Sequence, residues 1–404
     1  MLIAPSRNAT RSGSSRARST NIAARLLTPK LFVQRAAPHL LEEQVCAPQN
    51  GEVVAPPLRL AFVGCGRVVE GLHLPALRQV PSIQVVGLHD VDADRCSQVA
   101  RRENIERTYA TFDDLLADAA IEAVAVCVPV REHAAAAERV LQAGRHLFVE
   151  KPLALTLPEC DRLVMLAAAA RTQAAVGFHM RWLDLVTAMR NRLPQVGTVE
   201  QIQTAFTSGD YFHDSPPAWL RSRELGGGVW IEEGIHHFDL WRALGGADVS
   251  EVSAFGVSRD WDDLLGVISG RLANGALVST VLSNATGDTN ELAVYGPRGR
   301  LSVSCYRLDG LEFIPYGSSS ASASVRLQSL AFALGRLPAR WRQSRQGGAH
   351  LAPYVRQWTA FANGIRNGRM PCASLEDGRA ALRVSLAAVR SAEEGRTVRL
   401  ADVP

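Results

Sequence analysis

From residue 58 onward the chain alternates short apolar runs with segments whose apolar residues recur every three to four positions. Residues 58–63, 83–88, 123–128, 146–149 and 174–178 are apolar runs bounded by polar residues, glycine or proline, and each predicts a buried strand. Between them, residues 67–79, 93–102, 133–143 and 158–170 carry helical spacing. Such alternation predicts a parallel sheet with helices on both faces, a doubly wound layout over residues 58–178.

After Val196-Gly197 the pattern changes. Residues 199–206, 252–257, 264–272, 276–283, 290–295 and 300–305 are strand-like, with turn signals such as Ala273-Asn274-Gly275 and Gly296-Pro297-Arg298-Gly299 between them. They predict a large, mostly antiparallel open sheet in a second α/β domain over residues 179–404. Residues 318–324 read as a small-residue linker, and the basic stretch that follows to Gly348 as a loop or a short helix. Helices are expected at 352–367 and 375–394, packing back onto the rest.

Composition narrows the classes. Of 404 residues 47% are hydrophobic and 21% charged, and no apolar run reaches the roughly 18 residues of a membrane span, so no membrane role is expected. The seven cysteines are scattered without a C-x-x-C pair, which points to thiols in a reducing, cytoplasmic setting. The formal charge of +4 is misleading, because residues 1–41 hold seven Lys/Arg and no acid, leaving −3 on the remainder. No nucleic-acid partner is expected. Residues 1–57 read as a disordered, Arg/Ser-rich tail, with an organelle transit peptide as the alternative.

Chemistry enters at the strand ends. Gly64-Cys65-Gly66, followed by Arg67 and Val68, turns from the first strand into a helix, where glycines let the backbone approach a dinucleotide pyrophosphate. This is the Rossmann arrangement, although Val69 stands where a third glycine would fall; the plain alternative is a tight turn. Asp90 ends the second strand where an acid accepts from the adenosine ribose, which favours NAD over NADP despite Arg95 nearby; the alternative is that Asp90 and Asp92 cap the next helix. Lys151, in Glu150-Lys151-Pro152, emerges at the carboxyl edge of the sheet, where desolvation would lower its pKa and fit it for proton exchange. On one continuous helix Glu232, His236 and Asp239 share a face, so Glu232 would orient the imidazole. The alternatives are a solvated lysine and polar residues pairing along a helix. No cysteine is near and the order is not H-E-x-x-H, so no metal is expected.

Three motifs in order, Gly64-Cys65-Gly66 with His73-Leu74-Pro75-Ala76-Leu77, then the run from Ala143 through Glu150-Lys151-Pro152, then Gly226-Gly227-Gly228 leading to His236, resemble the glucose-fructose oxidoreductase/inositol dehydrogenase (Gfo/Idh/MocA) family. The resemblance spans about residues 58–402. It implies a dinucleotide domain, an α/β domain whose open sheet makes a homo-oligomer (dimer or tetramer), and an active site between them. Lys151 matches the family's catalytic lysine and His236 its catalytic histidine, with Glu232 where inositol dehydrogenase-like members have aspartate. Pro129, His133 and Glu150 are implied near the cofactor; His179, Arg181, Trp219, Arg221, His237 and Asp239 are substrate candidates. The expected activity is hydride transfer between NAD and a sugar, polyol or nucleotide-sugar. Two alternatives are an NAD-dependent glycosidase or lyase using transient oxidation, and a non-catalytic dinucleotide-binding regulator.

Overall fold

A computed structural model of the chain describes residues 56–404 except 171, 213–216, 306, 308–309, 346–347, 349 and 369–372. The tail expected over residues 1–57 therefore lies almost wholly outside the described residues. Strands β1 (Leu58–Val63), β2 (Ile83–His89), β3 (Arg107–Thr108), β4 (Ala123–Val126), β5 (His146–Val149) and β6 (Ala174–Val176) form one parallel sheet in the order β3-β2-β1-β4-β5-β6. β4 is buried at every residue, as expected of a strand covered on both faces. The covering helices are α1 (Leu74–Leu77), α2 (Ala93–Glu103), α3 (Phe112–Ala117), α4 (His133–Gln142) and α5 (Leu157–Ala170). Strand order reverses between β1 and β4, and that switch point opens a crevice at the carboxyl ends of the strands.

One predicted helix takes a different form. Instead of a regular α-helix over 67–79, the chain winds as a π-helix from Val69 to His73 before α1. Val69, standing in place of the third glycine, is fully buried in this wider turn.

Beyond α6 (Asp184–Arg192) the second sheet begins with β7 (Gln201–Thr207). The helical segments α7 (Val229–Glu232) and α8 (Gly234–Gly245) intervene before β8 (Val249–Val257), β9 (Leu265–Leu272), β10 (Leu277–Ser283), β11 (Thr289–Gly296), β12 (Gly299–Ser304) and β13 (Leu311–Pro315). Then come α9 (Ala323–Arg345), α10 (Ala352–Arg366), α11 (Leu375–Glu394) and β14 (Val398–Arg399). The eight strands run β13-β12-β11-β7-β10-β9-β8-β14, antiparallel except for the β7/β10 pair. Alternation decides the faces: Ile202, Thr204 and Phe206 of β7 point inward, toward α8, while Gln203 and Ala205 face outward. As far as Arg345, the basic stretch read as a loop or short helix lies in the 23-residue α9.

The closing helices pack back as expected. α11 starts on a capping box, in which Ser374 accepts from Asp377 N–H and Asp377 accepts from Ser374 N–H, and it lies against β8, α8 and α5. α10 brings Trp358, Phe361 and Tyr354 onto the core beneath β1 and β5.

Candidate active site

The loops after β1, β4 and β5 meet at the carboxyl edge of the parallel sheet. Gly64 has φ +94°, and a Cβ there would sit 2.3 Å from the Cys127 carbonyl oxygen, so only glycine lets the β1 loop lie against the end of β4. Asp90 braces that loop: its Oδ2 accepts from Cys65 N–H at 2.6 Å and its Oδ1 from Asp92 N–H at 2.8 Å. Asp92 caps α2 through Arg95 N–H, so for Asp92 the capping alternative holds. A Cβ built on Gly66 meets no atom within 4 Å. That open backbone cradle at a strand-to-helix turn fits a dinucleotide pyrophosphate. Arg67 is exposed and Val68 half-buried beside it, and Pro129 is exposed on the β4 loop.

Glu150 and His133, expected near the cofactor, are committed to the protein itself. Glu150 Oε1 accepts from His73 Nε2–H at 3.0 Å and Oε2 from Lys151 N–H at 3.0 Å. Because Trp358 Nε1–H donates to His73 Nδ1 at 3.1 Å, the hydrogen bonds assign His73 the tautomer with its proton on Nε2. Burial pushes the Glu150 carboxyl up, but the His73 hydrogen bond and nearby positive charge overcome it and hold it below its ordinary value. His133 is buried with Nδ1 2.7 Å from the Pro152 carbonyl and Nε2 2.9 Å from the Val128 carbonyl. Neither ring nitrogen is left for a cofactor, and the residue ties the β4 loop to the Lys151 loop.

Lys151 Nζ donates to the Glu232 carbonyl oxygen at 2.6 Å and to Glu232 Oε1 at 2.7 Å. The main-chain bond exists because the helix breaks at Glu233: His236 N–H turns to the Glu233 carbonyl at 3.1 Å, freeing that of Glu232. This corrects two expectations. Glu232 pairs with Lys151 rather than orienting His236 along one continuous helix. Desolvation would indeed lower the Lys151 pKa, but the Glu232 and Glu233 carboxyls outweigh it and raise it, so Lys151 is an ammonium at neutral pH. His236 has no exposed surface, and neither of its ring nitrogens has a hydrogen-bond partner among the described residues. Its ring packs edge-on to His179 at 4.6 Å between centroids, and burial drives its pKa well down, leaving a neutral imidazole. His179, half-buried and stacked on Tyr354 at 4.9 Å, is likewise lowered by burial, to about 4.

The other substrate candidates separate. Arg181 is buried and donates from Nε to Asp239 Oδ2 at 2.6 Å; it also pairs with Asp377 at 3.0 Å, and Arg242 holds Asp377 from the far side at 2.8 Å. Arg181 and Asp239 therefore neutralise each other and lock α8 to α11. His237 turns the other way from His236, with its ring 6.1 Å from that of Phe206 on β7, and is enclosed in the core. Trp219 and Arg221 stand exposed on a turn at Ala218–Arg221, without a hydrogen bond or ring contact to Lys151, Glu232 or His236 among the described residues. A Cβ on Gly227 would lie 2.2 Å from the Trp219 carbonyl oxygen, which is why the triple glycine is needed beside this turn. Four residues of the site were not singled out in the sequence: His73, Glu233, Tyr354 and Trp358. His73 had a signal, its place in the first motif, whereas Tyr354 and Trp358 arrive from nearly 300 positions away. Among the described residues no group of three His, Cys, Asp or Glu is arranged to hold a metal ion.

A doubly wound sheet with an open glycine cradle, faced at its carboxyl edge by an ammonium on a carboxylate and by a buried neutral imidazole, defines a dinucleotide-dependent oxidoreductase. Residues 58–178 match the oxidoreductase family with NAD-binding Rossmann fold, and residues 194–400 match that family's C-terminal alpha/beta domain. The chain belongs to this family, the glucose-fructose oxidoreductase/inositol dehydrogenase (Gfo/Idh/MocA) family, as its motif order implied. It is 26% identical to myo-inositol 2-dehydrogenase of Thermotoga maritima over 356 residues, 86% of this chain and 99% of that one. Against scyllo-inositol 2-dehydrogenase (NAD(+)) of Bacillus subtilis it is 25% identical over 354 residues, 85% and 96% of the two chains. The fold matches that of GenD2 from gentamicin A biosynthesis, solved in complex with NAD, with TM-score 0.71 and 24% identity over 88% of this chain and 99% of the other.

Proposed function

We propose that this chain is an NAD-dependent dehydrogenase that moves hydride between the nicotinamide C4 and the carbinol carbon of a sugar, polyol or nucleotide-sugar. The observation that carries the reading is one pair of groups. Lys151 is an ammonium with two of its three N–H groups taken by Glu232, and His236 is a neutral imidazole with both nitrogens unpartnered among the described residues. On oxidation His236 accepts the hydroxyl proton at a ring nitrogen, while the remaining Lys151 N–H donates to the same oxygen as it gains charge. Glu232 keeps Lys151 in place, and Glu150 fixes the Lys151 main chain. NAD, which the loop at Gly66 would help hold, would supply the hydride acceptor.

The loop 64–68, Asp90 and Pro129 would hold the cofactor. NAD rather than NADP is favoured because Asp90 sits at the tip of β2 and would repel a 2′-phosphate, while Arg95 is already paired with Asp92 at 3.3 Å. The names of the two inositol dehydrogenase relatives support a polyol substrate. His179, Trp219 and Arg221 remain the candidates for substrate contact. A division into cofactor and substrate domains near residue 178 is supported by the family matches, one ending at 178 and the next starting at 194.

A homo-oligomer through the second sheet is part of the same reading. The outer face of that sheet exposes a cross-strand row of Phe255, Val267 and Val281 beside a concavity of about 600 Å³. A cytoplasmic setting is supported by the five described cysteines, all unpaired thiols.

The test is a panel of inositols, aldoses and nucleotide-sugars with NAD and with NADP, followed at the reduced-nicotinamide absorbance band. Accumulation of NADH with at least one member, faster than NADPH, is expected. Product without net NADH would favour the lyase reading instead, and NADH binding without any turnover would favour a regulator.

A further inference from the structure

Lys151 is held at two points. The tip of its side chain is on Glu232, and its main-chain N–H donates to Glu150 Oε2 at 3.0 Å. The other oxygen of that carboxylate, Oε1, accepts from His73 Nε2–H at 3.0 Å. His73 is the last residue of the π-helix that starts three residues after Gly66, and it has no exposed surface. Four rings enclose its imidazole, those of Phe62, Phe148, Tyr354 and Trp358, with centroids between 5.3 and 6.0 Å away. Its Nδ1 accepts from the Trp358 indole N–H at 3.1 Å. With both nitrogens engaged and its ring enclosed, His73 has no atom left for substrate or cofactor, and what it holds is Glu150. Gly177, just past β6, leaves the space the carboxylate fills: a Cβ built there would lie 2.7 Å from Glu150 Oε1.

We propose that His73 is a positioning residue that acts through Glu150: its Nε2–H fixes the carboxylate that holds the Lys151 main chain, and so aims the third ammonium N–H of Lys151 at the reacting oxygen. Because the helical turn that ends on His73 starts at the Gly66 cradle, where Val69 N–H donates to the Gly66 carbonyl at 3.0 Å, the same link ties the cofactor loop to Lys151. Its catalytic meaning rests on the dehydrogenase reading, whereas the placement of Lys151 does not.

The chain contains two lysines, Lys30 and Lys151, so protein labelled with 15N-lysine gives the Lys151 backbone amide with a single other signal beside it. His73→Gln carries an amide N–H to the Nε2 position and keeps a donor for Glu150, whereas His73→Asn reaches only the Nδ1 position and loses it. In the ligand-free protein the Lys151 amide should exchange slowly with solvent in the wild type and in His73→Gln, and at least about tenfold faster in His73→Asn. Gly177→Ala displaces the carboxylate without altering His73 or Lys151 and should speed exchange likewise, which keeps the test intact if His73→Asn does not fold. Exchange at the wild-type rate in a folded His73→Asn or in Gly177→Ala overturns the proposal. With a polyol from the panel that is turned over, kcat should fall about 10²-fold in His73→Asn, the cost of misplacing a reacting group by about 1 Å. KM and NADH affinity should stay within about threefold, and His73→Gln should recover at least about tenfold of the lost kcat. Equal losses in the two His73 variants, or a loss confined to KM, would mark a merely structural role and contradict the proposal. Amide exchange as described in a protein that oxidises nothing would refute the dehydrogenase reading and leave the placement of Lys151 by His73 standing.

Discussion

Replacing Glu150 by glutamine probes a hydrogen-bond chain that has only one polarity. Trp358 Nε1–H donates to His73 Nδ1, His73 Nε2–H donates to Glu150 Oε1, and Lys151 N–H donates to Glu150 Oε2. Both carboxylate oxygens therefore accept, whereas glutamine offers one accepting oxygen and one donating amide. Whichever way the amide turns, it faces a donor. His73 cannot relieve the clash by moving its proton to Nδ1, because the indole that occupies Nδ1 is a donor only. One buried donor goes unmade, at about 1–3 kcal/mol, and a charge-assisted bond is weakened besides, so a loss of about 3 kcal/mol is expected from an almost isosteric change. Trp358→Phe removes the indole donor and frees the tautomer, so in that background Glu150→Gln should cost about 1–2 kcal/mol less. Urea unfolding of the four proteins of this double-mutant cycle at neutral pH measures the coupling. Additivity within about 0.5 kcal/mol would refute the assigned chain.

Two further predictions concern groups the reaction does not use. His237 is buried and held near pKa 4, against 6.5 for the free side chain, so it is neutral in the folded protein and protonated in the unfolded one between those values. Its contribution is complete above pH 6.5 and lost as pH falls toward 4, with a slope of about 1.4 kcal/mol per pH unit that His237→Leu should remove from the unfolding free energy; identical slopes would count against it. Arg181→Met leaves Asp239, 1% exposed, without its cation and should destabilise the protein by about 3–5 kcal/mol in urea unfolding, whereas a loss under about 1 kcal/mol would contradict the buried-pair assignment.

Much of the fold was legible because burial on both faces leaves a direct trace. The apolar runs of β1 and β5, interrupted only by Arg59 and His146, and the apolar period of α11 set those boundaries to the residue. α9 was missed as a long helix although Leu327, Leu330, Leu334 and Leu337 recur at helical spacing, because the basic residues around them and Pro338 read as loop signals. Lys151 and His236 were legible from motif order. Their partners were not: helical spacing alone puts Glu232 on the face of His236, and only a lysine 81 residues earlier in the chain, taking up the freed Glu232 carbonyl, shows the break at Glu233. Arg181 and Asp239 looked like free polar groups for the same reason, because Asp377, which joins them to Arg242, comes from α11 nearly 140 positions beyond Asp239.

The central claim, that Lys151 acts on substrate beside a separately bound NAD, is tested most directly by Lys151→Met. Turnover of an accepted polyol should fall by about 10²- to 10³-fold, as expected when a hydrogen-bond donor aimed at the oxygen that gains charge is lost. NADH affinity, measured by fluorescence titration of the same preparation, should change by less than about threefold, under 1 kcal/mol. Unimpaired turnover, or a loss accounted for entirely by weakened NADH binding, would contradict the account.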